Sequence, residues 1–170
     1  GLQGKGYDEE GGRVELTMAQ MLGREVLDLS DIGENMEKGA SVELVKMELG
    51  AEKVYTGALM TLKGDGSSFT AHIGYQGFTG QHLDMNYVAR HLGRKTESLM
   101  ESNGVLNGNA FKLFRGSIDF VKGCAGSVGN EKEDVLLLGD DVVNQTIPLI
   151  LCAEEDVEGN HGASIGELDE

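Results

Sequence analysis

"SFTAHIGYQ" (Ser68–Gln76) and "HLDMNYVAR" (His82–Arg90) decide how this chain is read. In the first, Phe69, Ala71, Ile73 and Tyr75 fall on one side of an extended chain, and Thr70, His72 and Gln76 on the other. In the second, Leu83, Met85, Tyr87 and Ala89 alternate with His82, Asp84, Asn86 and Arg90. Alternation with period two predicts half-buried β-strands, because successive side chains of a strand point to opposite faces.

The same rhythm continues outward. "GSIDFVKG" (Gly116–Gly123) sets Ile118 and Phe120 against Asp119, and "DVLLLGDD" and "TIPLILC" are apolar runs that predict strands buried on both faces. Upstream the pattern weakens. Between Thr17 and Leu29, Met18, Met21, Leu22, Val26 and Leu29 fall near helical spacing with Thr17 as a cap, although "EVLDL" also reads as a strand. Residues 1–12 read as a flexible leading segment. From about residue 41, strand candidates recur roughly every dozen residues with Gly, Asn, Asp or Ser between them and no helical crossovers. The prediction is one all-β domain over residues 1–170, as a sandwich, a barrel or a β-helix. The chain has 26 glycines, one proline (Pro148) and only 5% aromatic residues, which favours short strands stacked around aliphatic ladders, a β-helix.

Charge and cysteine content narrow the function. The net charge of −15 argues against nucleic acid and against an anionic membrane surface. There is no apolar run of about 18 residues to span a bilayer and no visible signal peptide, and two cysteines, Cys124 and Cys152, do not make a disulfide framework. A reducing cytoplasm is expected. "KGDGSS" (Lys63–Ser68) lacks the ending of a phosphate loop, and no Cys-x-x-Cys pair or His-Glu-x-x-His helix offers zinc ligands.

The four histidines differ in promise. His72 and His82 fall on polar strand faces, and His91 falls in a turn, "ARHLGRKT", as a structural or exposed residue. Cys124 reads as inert packing. Cys152 ends an apolar strand before Glu154, Glu155 and Asp156, with His161 nine positions later. A thiolate, an imidazole and carboxylates could converge there, and thiolate and imidazole suit iron and iron–sulfur clusters.

The stretch from Phe114 to Glu170 resembles the SufB/SufD family of iron–sulfur cluster assembly proteins. The resemblance rests on "EDVEGNHGASIGELDE" (Glu155–Glu170), with its acidic-acidic-Val opening and His-Gly-Ala centre, and on "LLLGDDVVNQTIPLILC" before it. "QHLDMNYVARHLGRKTES" (Gln81–Ser98) fits more loosely. The resemblance implies a right-handed parallel β-helix that handles a transient iron–sulfur cluster without being an enzyme. It also implies two partners: an ATPase of the SufC type, bound through helices expected beyond Glu170, and a SufB-type paralogue or a second copy. B-type members carry His-Glu in the motif and a cysteine before the Leu-Leu strand. This chain has His161-Gly162 and Glu133 at those places, which is the D-type pattern. His161 is therefore the expected cluster-assembly residue. Cys152 is a local candidate, and Glu155, Asp156 or Glu158 would hold the second ring nitrogen. Gly159, Gly162 and Gly166 are the motif glycines, the first two expected to let the backbone turn tightly. The competing expectations are a purely structural dimerisation platform and a β-helix enzyme of acidic polysaccharides. The latter is opposed by the acidic charge.

Overall fold

A computed structural model describes residues 1–167. The last three residues of the family motif, 168–170, lie outside the described residues, as does anything beyond them. Twelve strands follow one another: β1 (Leu2–Asp8), β2 (Arg13–Gln20), β3 (Leu27–Met36), β4 (Ser41–Glu48), β5 (Lys53–Leu62), β6 (Ser68–Gly77), β7 (His82–His91), β8 (Glu97–Asn107), β9 (Phe111–Phe120), β10 (Ser127–Leu138), β11 (Val143–Cys152) and β12 (Val157–Glu167). Odd strands form one six-stranded sheet in the order β1-β3-β5-β7-β9-β11, and even strands form the other, β2 to β12. Every pairing is parallel. Each odd–even pair of strands is one turn, so the chain winds into a β-helix of about six turns, with the core between the two sheets.

In-register stacking turns the sequence alternation into interior columns. Leu44, Ala71 and Met100 lie one above another on the even sheet, as do Leu83 and Val54 on the odd sheet. Phe69, Ala71, Ile73 and Tyr75 are buried, and so are Leu83, Met85, Tyr87 and Ala89, as their alternation predicts. The corners explain much of the glycine. Gly11, Gly39, Gly66, Lys95 and Gly126 occupy equivalent corners with φ of 69°, 67°, 69°, 53° and 78°. Each donates its backbone N–H to the next turn, from Gly11 to the Lys38 carbonyl through Gly126 to the Asp156 carbonyl. A left-handed corner repeated in the first five turns favours glycine, and of these five only Lys95 departs from it.

Four expectations are corrected. The segment Thr17–Leu29 is not helical: it runs from the second half of β2 into the start of β3, because extended pairing to β4 and β5 outweighs a weak helical periodicity. Residues 2–8, expected to be flexible, form β1 against β3. Of the two apolar runs, "DVLLLGDD" fully buries only Val135, and "TIPLILC" is not buried on both faces either. It lies in β11, the odd sheet's last strand, where Ile147, Leu149 and Leu151 are exposed on its outer side. His91 is not in a turn but ends β7, fully buried. No helix occurs among the described residues, so none is long and apolar enough to cross a membrane.

Candidate functional site

His161 is the fifth residue of β12, and the parallel register sets it beside Glu131 of β10. Glu131 stands in turn beside Met100 of β8 and Ala71 of β6. Neighbours in register share a face, so His161 continues an interior column that begins with apolar residues. Among the described residues no strand pairs beyond β12, and the imidazole is 25% exposed while the Glu131 side chain is fully covered. Nδ1 of His161 lies 3.8 Å from Oε2 of Glu131.

Glu131 is the unusual member. Both carboxylate oxygens are buried and accept no hydrogen bond. Burial first, and then the neighbouring Glu133, push its carboxyl up to about 7. Across the core it faces Gly116 of β9, where any Cβ would collide with the carboxylate, so the glycine makes the room that Glu131 occupies.

Glu133, one step along the same inner face, is fully satisfied. It accepts from the hydroxyl of Tyr75 at 2.9 Å, from the ammonium of Lys112 and from the hydroxyl of Thr146. Lys112 also donates to Thr146 at 3.0 Å. Burial pulls the Lys112 ammonium below its usual range while Glu133 opposes that shift. Burial raises the Tyr75 phenol, with Glu133 adding to the effect. One interior ammonium thus serves one of two neighbouring carboxylates and leaves Glu131 without a counter-ion.

The other predicted site residues are not brought to His161. Cys152 ends β11, in register with Phe120, and its thiol lies 3.6 Å from the Glu154 carbonyl. Gly116 faces Glu131, so Pro148 beside Gly116 faces His161 beside Glu131. Cys152 is four residues further along β11, about 13 Å away along the strand. Glu155 sits in the turn before β12, its N–H donating to the Glu154 side chain, while the Asp156 carbonyl closes the glycine corner. Glu158 is on the outer face and accepts from Asn160. The carboxylate at His161 is therefore Glu131 rather than these three. Gly159, Gly162 and Gly166 lie within β12 rather than in a turn. A Cβ at Gly159 would come 3.1 Å from Ile150 and Phe120, so Gly159 serves close packing, whereas Gly162 faces open space. Cys124 is buried, and burial raises its thiol above the usual range.

His91 donates or accepts through both ring nitrogens, 2.7 Å from the Thr96 hydroxyl and 2.9 Å from that of Ser98. Burial lowers it to about 4, so it is a neutral structural imidazole. Among the described residues no group of three or more His, Cys, Asp and Glu is arranged to hold a metal. The described residues offer two potential donors at the inner face of the last turn, fewer than a cluster needs.

Sequence reasoning missed Glu131, Glu133, Lys112 and Tyr75 as a group. The signal was present in "NEKEDV": Glu131 and Glu133 share the phase of Val135, which marks them as inward-facing.

Comparison with known proteins agrees with this architecture. Residues 7–170 match the family model described as SUF system FeS cluster assembly, SufBD core domain. An iron-sulfur cluster assembly SufBD family protein of Mycobacterium leprae is 26% identical over 159 residues, covering 93% of this chain and 18% of that protein. The iron-sulfur cluster assembly protein SufB of Bacillus subtilis is 24% identical over 163 residues, covering 95% of this chain and 35% of its own length. SufD of the same organism is 28% identical over 79 residues, covering 46% of this chain and 18% of SufD. The chain therefore spans between about a fifth and a third of the length of the curated relatives it matches. With the β-helix, the inward histidine and a family match over almost its whole length, the chain belongs to the SufBD core family of the SUF iron–sulfur cluster assembly system.

Proposed function

We propose that this chain is a D-type component of cytoplasmic SUF assembly, a scaffold and not an enzyme, handling a transient iron–sulfur cluster as cargo. It works with a SufC-type ATPase and with a B-type paralogue or a second copy of itself. The observation that carries the reading is His161, an imidazole on the inner face of the last turn that remains reachable from outside. The D-type assignment is supported by Gly162 after the histidine and Glu133 where B-type members have cysteine. The small number of donors among the described residues supports shared assembly, in which a partner supplies the others.

Anaerobic reconstitution with iron and sulfide tests this, with the ATPase and each candidate partner in turn. His161→Ala is expected to reduce cluster yield in the productive combination. Equal yields in every combination would overturn the ligand role. A purely structural role in dimerisation is favoured by one specific observation: β11 and β12 are each the last strand of their sheet, with one backbone edge unpaired among the described residues. That reading predicts unchanged cluster yield in His161→Ala, but loss of dimer when a proline replaces Gly162 in β12.

A further inference from the structure

We infer that Glu131 is a metal ligand that acts together with His161, the two holding one divalent cation on the inner face of the last turn. The inference rests on the reading of His161 as a ligand and adds the second donor of that site. Four observations carry it.

The Glu131 side chain is fully buried, yet neither oxygen has a hydrogen-bond partner. Buried polar atoms are almost always paired, and Glu131 is the carboxylate whose two oxygens both lack a partner among the described residues, which calls for an ion, a water or a reaction there. The local charge is unbalanced in the same direction, because Lys112 is committed to Glu133 and its Thr146 neighbour. Lastly, Gly116 keeps open the volume that the carboxylate fills.

The geometry also fits a bridging ion better than a direct contact. At 3.8 Å, Nδ1 and Oε2 are too far apart for a hydrogen bond. Two ligand atoms bound at about 2.1 Å in tetrahedral array lie roughly 3.4 Å apart, so a shift of a few tenths of an ångström closes the site. One imidazole nitrogen and one carboxylate oxygen suit borderline first-row dications, with water or a partner's donors completing the shell. The 25% exposure of His161 provides the route in.

The test is an anaerobic titration of the chain with cobalt(II) alone, followed by visible absorption and thermal unfolding with and without the metal. The variants are Glu131→Gln, Glu131→Met and His161→Ala. The wild-type chain is expected to bind one cobalt ion and to melt higher with it. Each variant is expected to lose about ten-fold or more in affinity. At pH 8, where the carboxyl is ionised, metal-free Glu131→Gln and Glu131→Met are expected to melt higher than the wild-type chain, because they remove a buried charge without a hydrogen-bond partner, and to gain nothing from cobalt. A structural carboxylate would give the opposite sign in the metal-free melts. Wild-type affinity in both Glu131 variants, a lower metal-free melting temperature for both, or no binding by the wild-type chain each overturns the inference. Binding lost in His161→Ala but retained in the Glu131 variants also rejects it, while leaving the assembly role of His161 intact. That role fails separately, in the reconstitution with partners.

Discussion

His91 ties stability to pH. Its folded pKa of about 4 lies below the ordinary 6.5, because burial disfavours the imidazolium. Between those values the unfolded chain binds a proton that the folded chain refuses, so stability falls as pH drops from about 6.5 to 4. The loss at the lower end is about 3 kcal/mol. Urea unfolding across this range should show a shallower slope for His91→Gln, which cannot titrate. An unchanged slope would assign the effect to other groups. The surroundings of His91 could not be read from "ARHLGRKT", because the turn-like Gly-Arg-Lys that follows hides the last inward position of β7. Lys46, Lys112, Glu131 and Glu133 were hidden differently. Each lies in phase with apolar neighbours, but charge ordinarily means solvent, so the phase was overlooked.

The Lys112–Glu133 pair links β9 to β10 and, through Tyr75, to β6. Lys112→Met would leave Glu133 buried without its ammonium. It is expected to cost about 3–5 kcal/mol by chemical denaturation, whereas replacing both partners with apolar residues should recover most of that. A second prediction concerns the corners. Lys95 holds φ 53° where its equivalents are glycines, so Lys95→Gly should leave stability unchanged or raise it by up to about 1 kcal/mol. Gly66→Ala should cost about 1 kcal/mol at a corner with φ 69°, although there is open space for the methyl group. Equal responses at the two corners would mean that backbone conformation is not what selects glycine. β6, β7 and the end of β9 were legible because apolar residues alternate on their inner faces, whereas β8 turns Ser98, Ser102 and Gly104 inward. β1 and β3 were not legible, since Gly4, Gly6, Asp28, Ser30 and Glu34 fall at inward positions and erase the apolar period, while Val14, Leu16 and Met18 of β2 do alternate inward.

Each turn contacts only its neighbours, so stability should be graded along the axis. Hydrogen exchange is expected to be slowest in β5 to β8 and fastest in β1, β2, β11 and β12, which lack a neighbour on one side. Uniform protection would instead indicate all-or-none opening. The β-helix was legible in composition and rhythm. The distribution of its interior charge was not, because that depends on register between turns and not on any one segment. Besides the nest at Lys112 and Glu133, a second buried ion pair, Lys46–Glu48 at 3.4 Å, lies near the other end, with Lys46 donating to Ser30 and Thr56. β4 and β10 are three strand spacings apart, about 14 Å. Tyr75 of β6 stands between the two nests, in register with Glu48 and donating to Glu133, so substitutions in one should couple to those in the other. Drift near the amino-terminal end of the helix is thereby felt, through a single phenol, by the charges toward the carboxy-terminal end.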